Sequence, residues 1–106
     1  MVRLTATLRP RTHRAGQDIL DALRFLAMGT RLEPGCLDCS VTGGDDLVRY
    51  TEEWAGEPEM RQRVRSERFN ALLMVLETAE EPDLRFEFVG GTRGLDYVEQ
   101  IRGVRS

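Results

Sequence analysis

The chain contains no lysine, so all fifteen of its basic residues are arginine. A Schiff-base lysine and a phosphate-cradling P-loop lysine are therefore excluded. The single histidine, His13, excludes a zinc or iron site built from several histidines of one chain. Only two cysteines occur, Cys36 and Cys39. Their spacing is half of a redox or metal motif that nothing else in the chain completes. Placed in one strand, an offset of three points them to opposite faces, and two small, half-buried thiols are expected. No apolar run approaches the roughly 18 residues of a membrane span. Arg3 and Arg9 interrupt the first apolar segment, so no signal peptide is expected and the expected location is cytoplasmic, without membrane attachment. The net charge is −3, with the arginines interleaved among carboxylates, which argues against a nucleic-acid surface.

What remains is a 106-residue chain with 41% apolar residues, enough for one domain, 1–106, around a single core. At its centre is the stretch Arg49 to Leu76. Val48, Tyr50, Glu52 and Trp54 alternate with Leu47, Arg49, Thr51 and Glu53, as in a strand that ends on the only tryptophan. Gly56 then turns the chain into a long helix with Pro58 at its first position. Met60, Val64, Phe69, Leu72, Leu73 and Leu76 follow helical spacing, with a slip around Ser66 where a kink or restart is expected.

Val2, Leu4, Ala6 and Leu8 alternate with polar residues in a first strand that stops at Pro10. After the connection RTHRAG, apolar spacing predicts a helix from Gln17 to Met28, closed by Gly29, with Phe25 and Met28 flanking its apolar face. Pro34 and Gly35 turn the chain into a strand from Cys36 to Thr42, and residues 43–46 form a hairpin loop into the Trp54 strand. Leu84 to Val89 is a fourth strand, broken by Gly90, Gly91 and Gly94. That glycine cluster matches neither a dinucleotide nor a P-loop fingerprint and reads as a turn. Leu95, Val98 and Ile101 then line a short C-terminal helix around Tyr97.

The order predicts an α+β, ferredoxin-like split βαβ fold: a four-stranded antiparallel sheet, helices on one face and a short C-terminal helix. Two main helices cover only one face of such a sheet. At least some of the aromatic and branched residues of the third strand are expected on the other face, and so is a homodimer packed sheet to sheet.

The turn EPGC at Glu33 to Cys36, the pair Glu52 and Trp54, and the helix after them resemble the antibiotic biosynthesis monooxygenase (ABM) family over nearly the whole chain. In that family a histidine commonly stands nine residues after the tryptophan, followed at intervals of three by serine and phenylalanine. Here those places hold Arg63, Ser66 and Phe69. The resemblance implies a dimeric α/β barrel with a pocket between sheet and helices in each protomer. It also implies oxygenation of small aromatic or quinol-like molecules with no cofactor and no metal, the substrate anion supplying the electrons. Haem degradation is not implied, since no histidine stands on the second helix to ligate iron.

Trp54 and Arg63 are the candidate catalytic residues, with Met28, Tyr50, Phe69 and Leu73 as candidate substrate-binding residues. The indole of Trp54 could orient a phenol or quinone oxygen, and could equally be a packing residue. Arg63 could hold a phenolate or enolate. It is a poor base, and Glu59, Arg63 and Glu67, spaced by four, also fit a surface ion-pair stripe. Arg61, Arg65 and Arg68 read as a second, solvated stripe. His13 is the one side chain that titrates near neutrality without help, although a solvated loop histidine explains it as well. The alternative function is a non-catalytic dimer of the same fold that binds a small ligand or supports an assembly, and the missing family histidine favours it.

Overall fold

The structure is a computed structural model that describes residues 1–44 and 46–103. The elements run β1 (Val2–Arg9), α1 (His13–Thr30), β2 (Cys36–Gly43), β3 (Val48–Trp54), α2 (Glu57–Arg65), α3 (Phe69–Glu77), β4 (Glu80–Phe88), β5 (Gly91–Arg93) and α4 (Leu95–Arg102). The strands form one antiparallel sheet in the order β2-β3-β1-β4-β5. This is the expected ferredoxin-like α+β arrangement with one strand more than the four anticipated. The Gly90–Gly91 step makes a tight hairpin, with Gly91 at φ +148, so the chain pairs back on Phe86 to Phe88 before α4. Asp45, in the expected β2–β3 loop, and residues 104–106 lie outside the described residues.

Side-chain alternation sorts the sheet into two faces. Val2, Leu4, Ala6 and Leu8 of β1 and Val48, Tyr50, Glu52 and Trp54 of β3 are all buried on the face covered by the helices. The other face corrects the sequence reading. It carries none of the aromatic residues of β3, and instead presents Arg49, Thr51 and Glu53 beside Arg3, Arg85 and Glu87. Because the period of a strand is two, once Trp54 faces the helices every aromatic residue of β3 must follow it.

Helix α1 begins four residues earlier than expected, because the Thr12 side chain accepts from the Ala15 N–H at 3.0 Å and caps it. His13 is thus the first residue of the helix and not part of a loop. The long second helix is two helices, and the break falls at Ser66. The Ser66 hydroxyl donates to the Arg63 carbonyl at 2.7 Å while its backbone turns extended, so α3 restarts at Phe69. Strand β4 starts at Glu80, not Leu84. The strand carries Pro82 at the point where its register with β1 shifts, so the proline takes no ladder hydrogen bond away. No helix among the described residues is long and apolar enough to cross a membrane.

Candidate active site

Three consecutive inward positions of β3, Tyr50, Glu52 and Trp54, place a carboxylate between two aromatic side chains. Glu52 is fully buried. A lone charge there would be prohibitive, and the structure surrounds it with donors. The Trp54 indole N–H donates to Oε1 at 2.8 Å and the Tyr50 hydroxyl to Oε2 at 2.5 Å. Arg63 reaches in from α2 and grips both oxygens, Nε to Oε1 at 3.1 Å and Nη2 to Oε2 at 2.8 Å. The two-point fork fixes the geometry as well as the charge balance.

The surface-stripe reading of Arg63 is overturned, since the residue is 4% exposed. Met60, Arg63 and Val64 share the buried side of α2, so Arg63 points at the sheet. Its Nη2 also reaches Thr30 at the end of α1, its Nη1 lies 3.5 Å from Oε2 of Glu33, and its guanidinium stands 5.3 Å from the centre of the Phe69 ring. Burial pulls the Arg63 pKa down, but hydrogen bonds and charge from Glu52, with Glu33 adding, raise it overall. It is a permanent cation. Burial, then the Glu52 charge, push the Tyr50 phenol up, so it stays a donor.

The two cysteines correct a second expectation. β2 carries a bulge between Cys36 and Asp38, so Cys36 pairs with Trp54 and Cys39 with Glu52. The extra residue, Leu37, cancels the offset, and both cysteines take the inward face beside the Glu52 cluster. Cys39 is buried, and burial raises its thiol pKa to about 12, with a hydrogen bond to Tyr50 opposing and the Glu52 charge adding. Burial, then the Glu52 charge, also raise Cys36, with the backbone hydrogen bond at Asp38 opposing.

The other candidates are placed as follows. Phe69 is fully buried between two guanidinium groups, those of Arg63 and Arg102, the latter 5.5 Å from the ring centre. Leu73 packs at the edge of the core, and Met28 is 65% exposed on α1. Tyr50, Trp54, Phe69 and Arg63 are therefore brought together, and Met28 is not. Arg65 and Arg68 lie exposed, as a solvated stripe requires, while Arg61 is half-buried near Glu57 at 3.8 Å. Sequence reasoning gave no role to Glu52 as the centre of the cluster or to Glu33 beside it. The signal for Glu52 was an acidic residue on the same strand face as Tyr50 and Trp54.

Among the described residues two surface cavities accompany the cluster, and none of the six candidate residues lines either. One, of about 780 Å³, is the polar concavity of the open sheet face, edged by Arg3, Arg9, Arg49, Asp83 and Glu87. The other, of about 430 Å³, is an apolar groove between α1 and α3, lined by Ala15, Ile19, Ala22, Met74 and Val75.

With this architecture established, its likeness to solved proteins is clear. A conserved protein from Methanosarcina mazei Go1 matches with TM-score 0.70 at 22% identity, over 81% of this chain and 89% of that one. A protein from Deinococcus radiodurans assigned as an antibiotic biosynthesis monooxygenase matches with TM-score 0.69 at 22% identity, over 85% and 93%. A variant of SnoaB, a cofactor-independent oxygenase from Streptomyces nogalater, matches with TM-score 0.69 at 12% identity, over 83% and 91%. The chain has the ABM-type fold. No protein-family model and no curated protein matches its sequence.

Proposed function

We propose that the protein is an ABM-type monooxygenase that oxidises a small aromatic or quinol-like molecule with dioxygen, using neither cofactor nor metal. The observation that carries this reading is the buried Arg63 guanidinium. It is a permanent cation fixed between sheet and helices, where the resemblance implies a pocket, and it would hold a substrate anion that gives electrons to dioxygen. The name of SnoaB, a cofactor-independent oxygenase of the same fold, supports the reaction class. Trp54 and Phe69 serve as packing surface for the substrate, with Tyr50 and Leu73 beside them. Met28, exposed and outside the cluster, takes no part in this reading.

A second reading, a non-catalytic ligand-binding or structural module, is favoured by one fact. The Trp54 N–H and the Tyr50 O–H are both spent on Glu52, so neither is free to orient a substrate oxygen. Oxygen uptake by the metal-free protein with a panel of quinols and anthrone-like phenols separates the two. Uptake that is lost in Trp54→Phe and Arg63→Ala, both still folded, supports the oxygenase. A folded protein with no uptake on any substrate supports the module.

The reading includes a homodimer and a cytoplasmic setting. Arg3, Arg9, Arg49 and Arg85 share the open sheet face with Asp38, Glu53, Asp83 and Glu87. A second copy could set opposite charges against them, which replaces the apolar patch as the argument for sheet-to-sheet packing. Sedimentation equilibrium in low and high salt checks it, with a monomer at all concentrations as the refuting result. Two unpaired thiols suit a reducing compartment.

A further inference from the structure

Arg63 and Glu33 stand side by side with hydrogen-bonding capacity that neither spends on the other. Arg63 bonds through Nε and Nη2 to Glu52 and through Nη2 to Thr30, while Nη1 only approaches Glu33 Oε2, at 3.5 Å. That oxygen is out of contact with solvent and accepts no hydrogen bond among the described residues. Buried acceptors are nearly always filled, so an orphan beside a buried cation calls for a missing donor. Glu52 cannot be that acceptor for a ligand, because four donors already occupy its two oxygens.

The turn that carries Glu33 is rigidly placed. Gly35 sits at φ +85 with its backbone against Glu59 of α2, where a β-carbon would come within 2.4 Å of Cγ. The Gly35 carbonyl accepts from the Ala55 N–H at 2.9 Å, one residue past Trp54. The turn is thereby tied to the corner between β3 and α2, and Glu33 is held over Arg63. The Glu33 side chain is still 19% exposed, so its far edge reaches the surface.

Resting on the oxygenase reading above, we propose that Glu33 is the proton acceptor of the site, taking the hydroxyl hydrogen of a phenolic or enolised anthrone-like substrate whose oxygen reaches both its Oε2 and Arg63 Nη1. The proton passes to Oε2, the bonding pair stays on the substrate, and the resulting anion accepts a hydrogen bond from Nη1. The anion gives one electron to dioxygen, and the substrate radical and superoxide combine into a peroxide anion. That anion recovers the proton from Glu33, and the hydroperoxide loses water to leave a carbonyl. A hydrogen-bearing carbon and one dioxygen thus become a carbonyl and one water. The residues that could compete are unsuited: Tyr50 is held as a donor, and burial keeps the Cys39 thiol protonated.

The test uses the full chain, with 4-nitrophenol as the binding probe and anthrone and hydroquinone for turnover, comparing the wild type with Glu33→Gln and Glu33→Asp. The wild type should bind the probe as its yellow anion at a pH below the probe's own pKa, and Glu33→Gln should bind it as the neutral phenol. Oxygen uptake should fall about 100-fold in Glu33→Gln, the usual contribution of a general base, and by less in Glu33→Asp, which keeps a carboxylate. Equal ionisation and equal uptake in wild type and Glu33→Gln would overturn the role of Glu33 and leave the oxygenase reading standing. A wild type that neither binds the probe nor consumes oxygen would remove the oxygenase reading, and the proposal with it. Should Glu33→Gln fail to fold, Glu33→Asp decides: ionisation kept with slower turnover supports the role, and unchanged turnover overturns it.

Discussion

Arg63 holds Glu52 by two hydrogen bonds, 3.1 and 2.8 Å long, in a space where the carboxylate has no exposure to solvent. A buried pair of this kind is strongly coupled, because removing one partner strands the other without water to replace it.

Arg63→Met should therefore destabilise the fold by about 3–5 kcal/mol, leaving the Glu52 charge unbalanced. Glu52→Gln in the same chain should recover part of that loss, since a Gln carbonyl can still accept from Tyr50 or Trp54 without needing a cation. Urea unfolding of the two single variants and the double variant measures the coupling. Strictly additive losses would show that the pair is not energetically joined.

Stability should fall in alkali through Cys39. Its thiol pKa is raised by burial to about 12 in the native state, against the ordinary 9.0 in the unfolded chain. Between those values the native state keeps a proton that the unfolded state loses, so this contribution is intact below pH 9.0 and declines as pH rises toward about 12. In Cys39→Ala, the slope of unfolding free energy against pH in that window should flatten by about one proton. An unchanged slope would assign the alkaline loss to other groups, such as Tyr97, which burial and the charge of Glu57 also raise to about 12.

Arg102 ties α4 to the break between α2 and α3. It donates to the carbonyls of Val64 at 2.9 Å and Ser66 at 3.2 Å, and to Asn70 Oδ1 at 2.7 Å. Arg102→Ala leaves two carbonyls near the end of α2 without their donor and should cost about 1–3 kcal/mol. Hydrogen exchange should rise first in α4 and at Phe69, and uniform loss of protection across the chain would contradict a local role.

Gly35→Ala meets two obstacles, a positive φ and Glu59 Cγ at 2.4 Å. A loss exceeding about 1 kcal/mol is expected, with only partial relief from Glu59→Ala because the backbone strain persists. Full recovery in the double variant would place the whole effect in the steric contact.

Much of this molecule is local and could be read along the chain. Alternation in β3 necessarily puts Tyr50, Glu52 and Trp54 on one face, because the period of a strand does not depend on its neighbours. The same holds for the capacity of the elements to make a split βαβ sheet, and for an interruption near Ser66, where the apolar spacing slips. A three-residue strand such as β5 carries too little pattern to be seen in advance.

What the tertiary structure decided is whatever depends on a partner from elsewhere in the chain. The face that Trp54 takes followed from where the helices settled, and with it the polar character of the open face. The inward turn of both cysteines needed a bulge that alternation cannot foresee. Spacing by four fits an exposed arginine paired with Glu59 and Glu67 as well as a buried one. Only the packing of α2 on β3 brings the Arg63 guanidinium to Glu52, because the cost of burying either charge is met by the other, eleven residues away.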